Sequence, residues 1–233
     1  MAQARAAAQP ARTSSQARVN RFVAHVFLLM SVGLAVTALV AGWAGGNLQF
    51  LLRINLNPWI SFGLFILQIV IVAALSAAVM RMSTGAALLL FLLYSAMTGL
   101  TISSIFLVYT QENIAYVFWI TAGTFLITSL FGLLLKRDLT GAGSVLFMLL
   151  VGWTFAWALS WMFPYSSFSW WLTFLGIALF VGLTAHDAQR MREIGLQLGD
   201  HPAGNGLVVL GALTLYLDFI NLFLLMLRAR SRR

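Results

Sequence analysis

Residues 139–186 contain no Asp, Glu, Lys or Arg over 48 consecutive positions. No soluble fold of this size hides such a run on all faces, whereas a bilayer accepts it, since one helical span needs about 20 apolar residues at about 1.5 Å each. The run has room for two spans, with Pro164, Tyr165, Ser166 and Ser167 supplying the turn between them. The same length and polarity criteria give seven spans, at about 23–45, 58–80, 86–108, 113–135, 142–163, 168–189 and 207–227. Gly45, Gly46 and Asn47 end the first, and Asn57 with Pro58 opens the second with a cap and a first-turn proline. The fold class is therefore all-α and polytopic: a cytoplasmic tail without fixed structure over 1–20, a seven-helix membrane domain over 21–228, and a basic tail over 229–233. The first apolar stretch is too long for the core of a cleaved signal peptide.

The formal charge of +8 does not signal nucleic acid, because eight of the 14 Lys and Arg lie in the two tails and the rest flank apolar runs. With the N terminus inside, the inner segments before the C-terminal tail carry nine basic residues, and the outer ones carry only Arg53. That bias sets a cytoplasmic N terminus. Seven crossings then leave Arg228, Arg230, Arg232 and Arg233 at the outer face, against the charge rule, unless the last segment turns back. Full crossing is expected, because the segment is long enough and the first helices dominate orientation. Small residues within the spans, among them Gly99, Gly123, Gly132, Gly152 and Gly176, allow close helix packing in lipid.

Chemistry has few candidates. No cysteine is present, which removes thiol chemistry and disulfides. Three histidines and six scattered acids offer little for a dedicated metal cage, and no catalytic triad, HExxH, P-loop or GxGxxG pattern occurs. An enzyme is not expected, and no cofactor is required. Asp187 and Asp218 stand out. Asp218 interrupts an otherwise uncharged run over 206–227, about 18 Å along a helix that starts near Gly206, and a carboxylate there is costly unless partnered, protonated or facing water. Asp187 lies at the inner end of the sixth span and reaches the same depth only if that helix continues through Met191 and Ile194, where no breaker intervenes before Gly195. Two such acids together would share a proton, and when deprotonated would attract a divalent cation or an arginine. For Asp187, pairing with Arg190 or Arg81 at the interface is the alternative. His186, Tyr216, Asn221 and Arg81 are candidate surrounding partners: His186 by its neutral-range titration, Tyr216 and Asn221 as donors on the same helix as Asp218, and Arg81 as a counter-charge. Two aspartates also suggest intramembrane proteolysis, but the tyrosine and glycine contexts of such peptidases are missing.

Four segments in order, GLTISSIFLVYT at 99–110, TAGTFLITSLFGLLLKRDLT at 121–140, HDAQRM at 186–191 and ALTLYLDFINLF at 212–223, resemble the bacterial branch of the Bax-inhibitor family over about residues 20–230. The resemblance implies six helices around a central C-terminal helix, and a multi-pass protein of the bacterial inner membrane. It also implies a pH-sensitive passive calcium leak governed by two aspartates that match Asp187 and Asp218, with Ca2+ as the transported or regulatory ion. Other relatives are linked to membrane proteolysis and stress responses, which implies the alternative of a non-conducting regulator with an integral membrane partner such as a protease. The lipid bilayer is a partner in either case. The chain departs from many relatives in having His186 and Ala188 around the first aspartate and in carrying Gln68 but no glutamate in the second helix.

Overall fold

A computed structural model describes the backbone of residues 2–135, 139–160, 166–198 and 204–230, and the side chains of 16–135, 139, 141–160, 168–197 and 205–230. The chain is helical throughout: α1 (Ala2–Gly45), α2 (Leu48–Leu56), α3 (Pro58–Ala78), α4 (Thr84–Ile102) with a 3-10 turn at Ser103–Leu107, α5 (Gln111–Leu134), α6 (Thr140–Leu159), α7 (Ser166–Leu198) and α8 (Gly204–Arg230). Among the described residues seven helices are long and apolar enough to cross a membrane, α2 being too short. The protein is thus an all-α, multi-pass membrane protein. The helical backbone of α1 begins at Ala2, where the alanine-rich sequence has high intrinsic helix propensity; its membrane-crossing part is Gln16–Gly45. The expected turn at Pro164 and Tyr165 lies outside the described residues, and α7 begins at Ser166.

The ends of several helices follow directly from their capping residues. Asn47 and Asn57 accept hydrogen bonds from the amides of Phe50 and Trp59, so one asparagine starts α2 and the next starts α3, with Pro58 in its first turn. Ser83 and Thr110 cap α4 and α5 in the same manner. Arg81 lies exposed in the turn between α3 and α4.

Within the seven-helix domain expected over 21–228, packing separates two compact units, Met1–Val108 with Ile194–Tyr216, and Tyr109–Glu193 with Leu217–Arg233. In the first, α1 and α4 pack closely: a Cβ on Gly99 would come within 2.7 Å of the Thr37 carbonyl. The start of α8 inserts beside them. The fully buried Tyr216 stacks edge-on against Phe91 and Tyr94 at 5.8 and 5.9 Å. Its hydroxyl lies 2.6 Å from Thr37 Oγ1, which itself donates to the Ser95 carbonyl at 2.8 Å. Thr37 has one proton and spends it on Ser95, so Tyr216 is the donor in the hydroxyl pair.

The second unit builds its core from Leu179, Phe180 and Leu183 of α7 and Leu222 and Leu225 of α8, with Trp153 of α6 packed against it. Trp153 Nε1 donates to the Leu172 carbonyl at 2.7 Å, which satisfies the one polar atom of a large apolar side chain. At one end of this unit Arg228 donates to Ser169 Oγ at 2.6 Å and lies 5.8 Å from the centre of the Trp157 ring. Arg230 donates to Asn113 Oδ1 at 2.9 Å and sits 4.2 Å over Tyr116. The final helix thus runs to the level where α5 and α7 start and α6 ends, and does not turn back. Its most apolar window is 61% buried, against 0% for α6, so α8 is the interior helix and α6 a lipid-facing one.

Candidate functional site

The segment Ala185–Gln189 of α7 brings the site together in the second unit. α7 does continue through Met191 and Ile194, so Asp187 lies within the helix rather than at its end. The two carboxyl groups are neighbours, close enough for the charge of Asp187 to bear on Asp218. Carboxylates only accept, so a hydrogen bond between two carboxyl groups requires one of them to carry a proton. Asp187 and Asp218 are 9% and 6% exposed, which removes solvent as a ready partner. Asp218 Oδ2 is buried with no hydrogen-bond partner among the described residues. An orphaned carboxylate oxygen in such a place demands a water, a proton or a cation.

His186 lies beside the pair, with Nδ1 2.8 Å from Asp187 Oδ1. The opposite edge of its ring rests on α6, where a Cβ on Gly143 would come 2.6 Å from Nε2. One residue earlier on α7, an added Cβ on Gly132 of α5 would collide with the carbonyl oxygen of Ala185. Bare glycine backbones on α5 and α6 therefore let α7 approach closely on both sides of the acid.

The other candidates go elsewhere. The Tyr216 hydroxyl is engaged by Thr37, because residues two apart on a helix point in widely different directions. Asn221 folds back and donates to the Leu217 carbonyl at 2.9 Å. Arg81 is exposed in its turn. Among the described residues neither Asp187 nor Asp218 forms an ion pair with Arg or Lys; the ion-pair contact of Asp187 is with His186.

Sequence reasoning missed Gln189. It is 5% exposed; its Oε1 accepts from the Leu139 amide at 2.8 Å and its Nε2 donates to the Leu135 carbonyl at 3.3 Å. Both ends of the α5–α6 connection are thereby tied to α7, two residues from Asp187. The only available signal was an uncharged amide in HDAQRM, two residues from an acid.

No group of three or more His, Cys, Asp or Glu gathers among the described residues. Calcium prefers six to eight oxygen ligands. Two carboxyl groups with one orphaned oxygen suit an ion met in passing or weakly held better than a resident one.

Residues 19–232 match the family model described as inhibitor of apoptosis-promoting Bax1. Over 220 residues the chain is 43% identical to the inner membrane protein YbhL of Escherichia coli strain K12, covering 94% of each chain. It is 41% identical over 215 residues to an uncharacterized protein of Borreliella burgdorferi, covering 92% of this chain and 93% of that one. A third similarity, 32% over 226 residues, is to an uncharacterized membrane protein of Streptococcus pyogenes serotype M1, covering 94% and 96%.

Proposed function

Because the chain belongs to the Bax-inhibitor family of non-catalytic membrane proteins, we propose that it is an inner-membrane, pH-sensitive passive calcium leak gated by Asp187 and Asp218. The observation that carries this reading is the buried Asp218 Oδ2 without a partner, on a carboxyl group whose neighbour is Asp187. With one shared proton the pair is a hydrogen bond that holds α7 to α8. Once that proton leaves, the two like charges repel; for a separation of about 4 Å at an effective dielectric of about 20 the repulsion is about 4 kcal/mol, close to three decades in an equilibrium between closed and open states. A divalent cation between the carboxylates relieves the repulsion, which makes calcium both the permeant ion and a ligand of the gate. Flux therefore rises with pH as the shared proton is removed. The N terminus faces the cytoplasm in this reading.

The test is calcium flux into vesicles holding the purified chain, measured from acidic to neutral pH for wild type, Asp187→Asn and Asp218→Asn. The asparagine variants should keep the fold and lose the pH response. Wild-type flux with the same pH profile as both variants would remove the gate. A folded wild type with no flux would favour a non-conducting regulator, to be sought by crosslinking to a membrane partner such as a protease.

A further inference from the structure

Among the described residues two buried side-chain polar atoms have no hydrogen-bond partner, Asp218 Oδ2 and Ser129 Oγ. Both belong to the second unit. Ser129 is fully buried on α5, and its hydroxyl breaks the habit of the chain. The buried Ser95, Thr98, Thr121, Thr173 and Thr184 each donate to the carbonyl four residues earlier, where a helical hydroxyl commonly spends its proton. Ser129 leaves both its proton and its lone pairs unspent.

The register of α5 against α8 puts Ser129 beside the acids. The two helices run antiparallel: Arg230 donates to Asn113, Thr121 Oγ1 lies 3.4 Å from Met226 Sδ, and the rings of Phe125 and Phe219 are 5.4 Å apart. Eight residues on from Thr121 is Ser129, and eight back from Met226 is Asp218. Each step is about 12 Å of helical rise, so both arrive at about the same level. The buried face of α5 consists of Val117, Thr121, Phe125, Ser129 and Gly132. On it Ser129 lies one turn from Phe125, which meets the residue next to Asp218, and one turn from Gly132, which meets Ala185, two residues before Asp187. The hydroxyl is thus bracketed by the contacts that α5 makes next to each acid.

Two buried, unspent oxygens at one level call for an occupant that both can hold. On the reading that a divalent cation visits the acid pair, on which this step rests, we infer that Ser129 Oγ is a further oxygen ligand of that ion and favours calcium over magnesium. α5 then joins α7 and α8 as the third helix of the site. A hydroxyl adds a ligand without adding a third negative charge to a pair that already repels. Calcium accepts six to eight oxygens in a flexible shell, neutral ones included, whereas magnesium keeps most of its octahedral water and is held through one or two carboxylates. The serine therefore helps calcium and does little for magnesium.

The test is equilibrium binding of calcium and of magnesium to the purified full-length chain in detergent, with thermal unfolding in calcium and in chelator alongside. Ser129→Ala should weaken calcium binding about fivefold, the scale of one polar contact, and change magnesium binding less. In chelator its Tm should hold or rise, because the substitution removes an unpaired buried polar atom. Thr121→Val, on the same face but with its hydroxyl already spent on the Val117 carbonyl, should bind calcium as wild type does. Ser129→Ala that binds calcium like wild type, while Asp218→Asn does not, would leave the acid pair standing and overturn the serine as a ligand. An equal loss for magnesium, an equal loss in Thr121→Val, or a Tm lowered in chelator would assign Ser129 to packing and overturn it as well. A wild type that binds no calcium would sink the inference together with the cation in the reading it rests on, whereas intact binding with a flux that ignores pH would remove the gate alone.

Discussion

Gly132→Ala offers the sharpest check on how α5 holds α7. The new Cβ would meet the Ala185 carbonyl oxygen, with the carbonyl carbon at 2.8 Å and Cα at 2.9 Å. Ordinary carbon contacts lie at about 3.5–4.0 Å, so α7 must retreat by about 1 Å, a gap that forfeits a quarter to a half of each dispersion well it opens. A flexible side chain would swing aside; backbone cannot. Overpacking of this sort costs about 1–3 kcal/mol, and the better helix propensity of alanine returns at most about 1 kcal/mol. With that return in full the net loss is up to about 2 kcal/mol, equal to a fall of up to about 8 °C in Tm for a chain of this size. The control lies on the same helix: a Cβ on Gly123 meets nothing within 4 Å, so Gly123→Ala should be neutral or raise Tm by a few degrees. Thermal unfolding followed by circular dichroism in one detergent compares the two directly. If Gly132→Ala proves as stable as Gly123→Ala, α5 and α7 do not approach as described, and the placement of Asp187 loses its support.

Tyr216→Phe removes the hydroxyl that donates to Thr37 and should cost about 1 kcal/mol, the scale of a neutral hydrogen bond; a double-mutant cycle with Thr37→Val that shows no coupling refutes the pair. Gln189→Ala strands the Leu139 amide and the Leu135 carbonyl, at about 1–3 kcal/mol, and should speed hydrogen exchange at the Leu139 amide; unchanged exchange there denies the clamp. Seven crossings put the two termini on opposite sides, so a reporter fused after Arg233 should read as periplasmic when one before Met1 reads as cytoplasmic. Two cytoplasmic readings would mean that one helix fails to cross.

The spans were legible because hydropathy alone decides them: each is an apolar run near the bilayer thickness. α2 was not, although both of its capping asparagines were visible. Nine residues cannot span, and its buried face consists of only Leu51 and Ile54, too little periodicity to separate helix from loop. The glycines show a different limit. Gly132 and Gly176 meet neighbouring atoms within 3 Å, while Gly123 and Gly152 meet nothing within 4 Å. Their local sequences do not differ in kind, because which side of a helix meets another depends on rotation about its axis, a property of the packed assembly. The C-terminal arginines were a puzzle for the same reason: a charge rule counts them as free. In the structure Arg228 and Arg230 are held by Ser169, Trp157, Asn113 and Tyr116, contacts that a count of free charges leaves out.

Asp187 and Asp218 could be singled out because burying charge is the largest cost in the chain, but their surroundings could not. Expected donors bonded locally or across other helices, as hydroxyls and amides do when a carbonyl is nearer. What positions Asp187 is instead the run of neighbours on α7. Successive helical residues fan out by about 100°, so Ala185 reaches α5 at Gly132, His186 reaches α6 at Gly143, Asp187 reaches α8 at Asp218, and Gln189 ties down the α5–α6 connection. Four of five successive residues thereby fix one carboxyl group against three helices and the α5–α6 connection. Any change that separates the acid pair must also loosen at least one of these contacts, so the substitutions that disturb it by packing, at Gly132 and Gln189, need carry no charge at all.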